Sequence, residues 1–237
     1  MISRMPCIAF ALCLAYVSLV FADAKERHFT KTQFSGLHSI VQKDFQDMLR
    51  PFKGRALSEA DLKRLKKQLT DIKMLKKVSL AFKKDDTLDI HVLERKPLIK
   101  IDFQNRWYLD QDGVVFDWFG SKEQPALPVL YARWKTKTQM MESKDVFASL
   151  VSLHKHIQKQ FNKVAIEYHW HQNLGWTFHI QPELPGIYIG QNHFVQRLKR
   201  LNKLMDNIIK EKENLIAIDC GFDDRVVLKK KPTPNAP

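Results

Sequence analysis

The sequence predicts an α+β protein with three parts: an N-terminal membrane segment, a small strand-helix-helix-strand-strand unit, and a larger mixed α/β unit on an open, antiparallel-rich sheet. Three observations predict this. An uncharged run from Met5 to Ala22 follows a start that carries only Arg4. The hydrophobic period switches from helical to alternating near Val78. Beyond Ile99, short alternating runs are interleaved with two long helical patterns.

The 237 residues are 44% hydrophobic, enough for one large domain or two small ones with real cores. The formal net charge of +13 favours anionic partners without choosing among acidic proteins, nucleic acid and anionic lipid. Cys7 and Cys13 lie in the apolar run and Cys220 lies near the other end, so no pair can bridge the folded body. The chain is not stapled by disulfides, yet a body of this size tolerates an oxidising compartment without them.

In lipid the run 5–22 must be helical, because only a helix satisfies its own backbone. At about 1.5 Å per residue it just reaches across a bilayer. Two readings stay open: a retained single-span anchor, or a cleaved signal peptide with Ala22-Asp23-Ala24 as the small-x-small site. Both export the remainder, and the anchor reading makes 1–4 a short cytoplasmic end.

Arg27 to Gly36 reads as an entry strand and turn. Ser39 with Gln42 suggests a capping box, and Val41, Phe45, Met48 and Phe52 recur on one helical face up to Pro51 and Gly54. Ser58 with Asp61 caps a second helix striped by Leu62, Leu65 and Leu69. Lys63, Arg64, Lys66 and Lys67 are its solvated face. Val78, Leu80 and Phe82 then alternate, 84–87 turns the chain, and Leu88, Ile90 and Val92 return. Residues 27–96 form the first unit.

The second unit spans 97–229. Trp107-Tyr108-Leu109 and Val114-Val115-Phe116 flank an Asp/Gly turn, the pattern of a hairpin. Val129 to Tyr131 is a strand, and Asp145 to Phe161 is a helix with Phe147, Leu150, His154, Ile157 and Phe161 inward. Val164, Ile166, Tyr168 and Trp170 alternate, and Trp176, Phe178 and Ile180 answer them across Asn173-Leu174-Gly175. Tyr188-Ile189-Gly190 is a strand, and Asn192 is placed to cap a helix running from Phe194 to Ile208. Leu215 to Ile218 and Val226 to Leu228 are the last strands, and 230–237 reads as a disordered tail.

No catalytic, cofactor or metal site is expected. Asp110-x-Asp112-Gly113 lacks the closing glutamate of a calcium loop, since Ser121 stands there, so turn chemistry explains it. His169 and His171 share one face of a strand, and His179 could in principle add a third ligand, but the set reads as ordinary surface histidines. No phosphate cradle or nucleophile elbow is present. The tryptophans fall at strand spacing and read as core, so no nucleic-acid partner is expected.

One set of motifs is more specific. Leu88-x-Ile90-x-Val92 leads into Glu94-Arg95-x-Pro97, and the run from Trp107 through Asp110, Asp112, Gly113 and Phe116 follows. Gly190 then precedes the long helix, and Ile218-Asp219-Cys220-Gly221-Phe222 lies near the end. In this order behind an N-terminal anchor, the set resembles the FtsQ/DivIB family of the bacterial divisome. Here Gly221 and Phe222 stand where the family usually has Arg and Tyr. The resemblance implies that 27–96 is a POTRA-like domain and 97–229 the family's β domain. It implies a single-pass inner-membrane protein at the division septum, without catalysis. Its implied partners are FtsB and FtsL, held to help coordinate septal wall synthesis. The implied contact surface is Ile218, Asp219, Phe222, Arg225, Val226, Val227 and Leu228, offered as a strand edge. Glu94, Arg95, Pro97, Asp110, Asp112, Gly113, Phe116 and Gly190 are expected to be structural. Another POTRA-type assembly or transport factor, or an exported basic polymer-binding protein, is the alternative.

Overall fold

The computed structural model describes residues 27–83, 86–104 and 106–232. The expected cytoplasmic end, the anchor at 5–22 and the tail beyond residue 232 lie outside them. Among the described residues, no helix is long and apolar enough to cross a membrane. Two compact units divide the chain, one ending at Glu94 and the other beginning at Arg95.

The first unit contains β1 (Arg27–His28), β2 (Lys31–Ser35), α1 (Gln46–Leu49), β3 (Ala56–Leu57), α2 (Glu59–Asp71), β4 (Leu75–Phe82) and β5 (Thr87–Glu94). The sheet order is β2-β5-β4, with β5 parallel to β2 and antiparallel to β4. The alternation of Leu88, Ile90 and Val92 on β5 puts all three into the core with Phe29, Phe45, Phe52, Leu65 and Leu69. The Ser58–Asp61 capping box forms as its spacing predicts: Asp61 N–H donates to the Ser58 hydroxyl and Ser58 N–H to the Asp61 carboxylate. The bonds from Arg55 and Ser58 hold the Asp61 carboxyl down at about 2.

The first helix departs from its sequence reading. Tight 3-10 turns at Gln42–Phe45 and Arg50–Phe52 flank the single α turn of α1. Ser39 is not its cap: the first turn starts later, with Val41 as N-cap and Val41 N–H donating to Asp44, while the Ser39 amide is bound by Glu94. The β1–β3 pair is two residues a side, too short to carry a period.

The second unit contains β6 (Pro97–Ile101), β7 (Trp107–Asp110), β8 (Val115–Asp117), β9 (Val129–Ala132), α3 (Lys137–Glu142), α4 (Lys144–Phe161) and β10 (Glu167–His171). It continues with β11 (Gly175–His179), β12 (Ile187–Gly190), α5 (Phe194–Glu211), β13 (Leu215–Asp219) and β14 (Val227–Lys230). All its strands join one nine-stranded sheet, ordered β14-β13-β12-β11-β10-β9-β6-β7-β8. Pairing is antiparallel except at β6–β9, β9–β10 and β12–β13. The helices α4 and α5 bring Phe147, Leu150, Leu153, Ile157, Leu198, Leu201 and Ile208 into one core with Tyr168, Trp176, Phe178, Ile187, Ile189 and Ile218. Each fully buried side chain of this kind contributes about 1.5–3 kcal/mol.

Four local readings are corrected here. Val164 and Ile166 are 45% and 44% exposed, because a bend at Ile166 breaks the alternation and buries Ala165 instead. Asn192 does not cap α5, whose N-cap is His193 in the left-handed region at φ 56°, with no side-chain cap bond. The short α3 was missed, although Thr136 accepts from Gln139 N–H at its start, a legible Thr-x-x-Gln signal. Val226 precedes β14, and the strand runs on through Lys229 and Lys230, the latter read as tail.

Candidate protein-interaction edge

At the junction of the two units, the Glu94-Arg95-x-Pro97 motif is built from main-chain capture. Glu94 is 7% exposed, and its carboxylate accepts N–H bonds from His38, Ser39 and Ile40 at 2.9, 2.7 and 3.1 Å. Its neighbour Arg95 binds within the second unit, donating from Nη1 to Asp110 Oδ2 at 2.6 Å. The other Asp110 oxygen accepts from the amides of Asp112 and Val114, which shapes the β7–β8 turn. Gly113 completes that turn at φ 77°, a conformation glycine adopts without strain. Pro97 opens β6 opposite Asp110, and Phe116 is fully buried against Tyr108. These residues therefore fix loops and register.

The expected contact residues lie at the other end of the large sheet. The terminal strand is β14, paired on one side with β13 alone among the described residues. Lys231 N–H donates to Asn214 C=O. The alternation of an antiparallel ladder then turns the main-chain groups of Leu228 and Lys230 toward the open side. Val227 is 40% exposed, while Val226 and Leu228 lean onto the core. Ile218 lies on the inner strand β13 and is fully buried, so it supports the edge from beneath. Asp219 spends Oδ1 on the Gly221 amide at 2.7 Å.

Two arginines that the sequence reading missed hold the 220–226 loop leading into β14. Arg197 is 7% exposed and donates to Ile189 C=O at 2.8 Å and to Asp223 Oδ1 at 2.9 Å. Arg200 donates to Phe222 C=O at 2.9 Å. Hydrogen bonds from Arg197 and then His193 hold the Asp223 carboxyl below the usual carboxylate range. Gly190 makes the Arg197 contact possible: it sits at φ 78°, and a Cβ there would stand 2.6 Å from Arg197 Nη1. The available signal was an arginine inside the apolar stripe of Phe194, Leu198 and Leu201.

Residues 222–225 of the loop present their side chains outward. Phe222 is 40% exposed, with the Arg225 guanidinium 4.6 Å from its ring centroid. Gly221 has a local cause, since a Cβ there would stand 2.5 Å from Tyr188 Cε1. Tyr188 is tied in place by its bond to Leu174 C=O at 2.6 Å. Behind the loop, burial and then the Asp219 charge push the Cys220 thiol up to about 12, so it is inert packing. The arrangement offers main-chain bonds beside an aromatic, with Arg225, Lys229, Lys230 and Lys231 supplying positive charge.

Residues 98–220 match the family described as cell division protein FtsQ/DivIB, C-terminal. The matched stretch runs from β6 to the end of β13, so β14 lies just beyond it. The cell division protein FtsQ of Geotalea daltonii is 20% identical over 206 residues, which cover 84% of this chain and 74% of that protein. With more than half its length matched by the family's C-terminal domain, the chain belongs to the FtsQ/DivIB family of cell division proteins.

Proposed function

We propose that this chain is a non-catalytic scaffold of the division machinery that receives a strand from a partner division protein along β14. In this reading the partner is FtsB, with FtsL, and coordination of septal wall synthesis is the outcome. The N-terminal run 5–22 is the inner-membrane anchor in this reading, with 27–96 as a POTRA-like recruitment domain and 97–229 as the β domain. Tethering confines both partners to a surface and raises their effective concentration.

The observation that carries the reading is the pairing of β14 on one side only among the described residues. Its outward N–H and C=O groups are a template for strand addition. Phe222 and Val227 supply exposed apolar contacts beside that template. The lysines of β14 discourage self-pairing between like edges and select an acidic partner segment.

A pair of proline variants tests this. Leu228→Pro removes an outward N–H and leaves the ladder to β13 whole, whereas Lys229→Pro removes an inward one. Leu228→Pro is expected to lose only the packing of its half-buried side chain, as Leu228→Ala does, and to weaken binding to the FtsB–FtsL region at least about tenfold relative to Leu228→Ala, from lost bonds and a blocked edge. A stable Leu228→Pro chain with unchanged affinity would remove β14 as the docking edge.

A further inference from the structure

On the face of the large sheet opposite α4 and α5, strand register assembles three metal-ligating side chains. Glu167 and His169 stand two residues apart on β10, so both point to one face. His179 is the direct partner of Glu167 across β10–β11 and joins them there. His169 Nε2 lies 3.3 Å and His179 Nε2 lies 3.6 Å from Glu167 Oε1. All three ligand atoms fall within 4.8 Å of one another. We propose that Glu167, His169 and His179 bind a borderline divalent transition-metal ion, zinc foremost.

The geometry suits that ion. Ligands about 2.1 Å from a tetrahedral centre stand about 3.4 Å apart, close to both distances already present. Only the two imidazoles need to draw together, from no more than 4.8 Å. Two imidazoles with one carboxylate favour zinc, copper or nickel over magnesium or calcium, which prefer all-oxygen shells. The rings are held for the task. Tyr131 stacks on His169 with centroids 5.0 Å apart. Gly186 leaves space at His179, where a Cβ would stand 2.9 Å from Nε2. The Ile166 amide bonds His179 C=O at 2.8 Å and fixes the register that aligns the set. The side chains of His169, Glu167 and His179 are 34%, 34% and 26% exposed, so a fourth position opens to solvent for water or an incoming carboxylate. The +13 net charge opposes a cation only weakly here, since exposed charges are screened beyond about 8 Å in physiological salt.

The test uses the untagged full chain in mild detergent, stripped with a chelator and titrated with Zn2+ against a chromophoric competitor. One equivalent with micromolar or tighter affinity is expected, together with intense visible bands on Co2+ substitution that report a tetrahedral site. His169→Gln and His179→Gln should each weaken Zn2+ at least tenfold, and His171→Gln, on the same strand face, should leave it unchanged. Zinc should raise the melting temperature of the natural chain and of His171→Gln alone. The assignment is overturned by a wild-type chain that binds no Zn2+ tighter than about 100 μM, or by binding that survives both ligand variants; neither result depends on a variant folding poorly.

Discussion

Replacing Glu94 by alanine isolates the contribution of the most buried carboxylate in the first unit. The side chain satisfies three consecutive amides, at His38, Ser39 and Ile40, and those donors lose their acceptor together. At about 1 kcal/mol per donor, the low end for an amide left without its acceptor because water reaches part of the loop, the loss is about 3 kcal/mol. For a unit of this size, about 1 kcal/mol moves the melting temperature by about 4–8 °C, so a fall of roughly 12–24 °C is expected. Glu94→Gln keeps one oxygen and should lie between. Calorimetry of the full chain would read the transition of the first unit separately from that of the second. A shift below about 3 °C for Glu94→Ala would show that water replaces the carboxylate freely, and Glu94 would lose its role as the loop's anchor.

Three further outcomes follow from the second unit. Gly190→Ala forces a left-handed residue against Arg197 and should cost about 1–3 kcal/mol in denaturant melts, with loosening of the 220–226 loop. Burial lowers the His154 pKa beside the Tyr168 hydroxyl, 2.7 Å away, so the unfolded chain takes up a proton there before the folded one does. Stability from this group is therefore complete above about pH 6.5 and declines as pH falls from there, and the stability gap between the natural chain and His154→Gln should narrow from pH 7 to pH 5. Cys220, fully buried with its thiol pushed up to about 12, should resist alkylation at pH 8 until the chain unfolds, as read by peptide mass mapping.

What the sequence made legible was local. The Ser58–Asp61 box, the Asp110–Gly113 turn and the stripe from Phe194 to Ile208 each carry their signal within a few residues, and each formed. Long-range pairing was not legible. Nothing near β6 announces that it lies parallel to β9, with β7 on its other side. Ile218 shows the same limit from the other direction. Its place in a family signature suggested contact, whereas its strand lies between β12 and β14 and its side chain faces the core. Arg197 was hidden because a charged residue in an apolar stripe reads as solvated until a carbonyl and a carboxylate are found beside it. The Glu167–His169–His179 cluster needed the β10–β11 register, which sets Glu167 opposite His179. Spacing alone supplied only the histidines.

Amide hydrogen exchange, read residue by residue on the chain with and without the soluble FtsB–FtsL region, tests strand addition at β14 most directly. Partner binding should slow exchange at Leu228 and Lys230, whose amides face the open side, and change little at Val227 and Lys229, already bonded to β13. Unaltered exchange at Leu228 and Lys230 under saturating partner, with new protection elsewhere on the chain, would contradict docking at this edge.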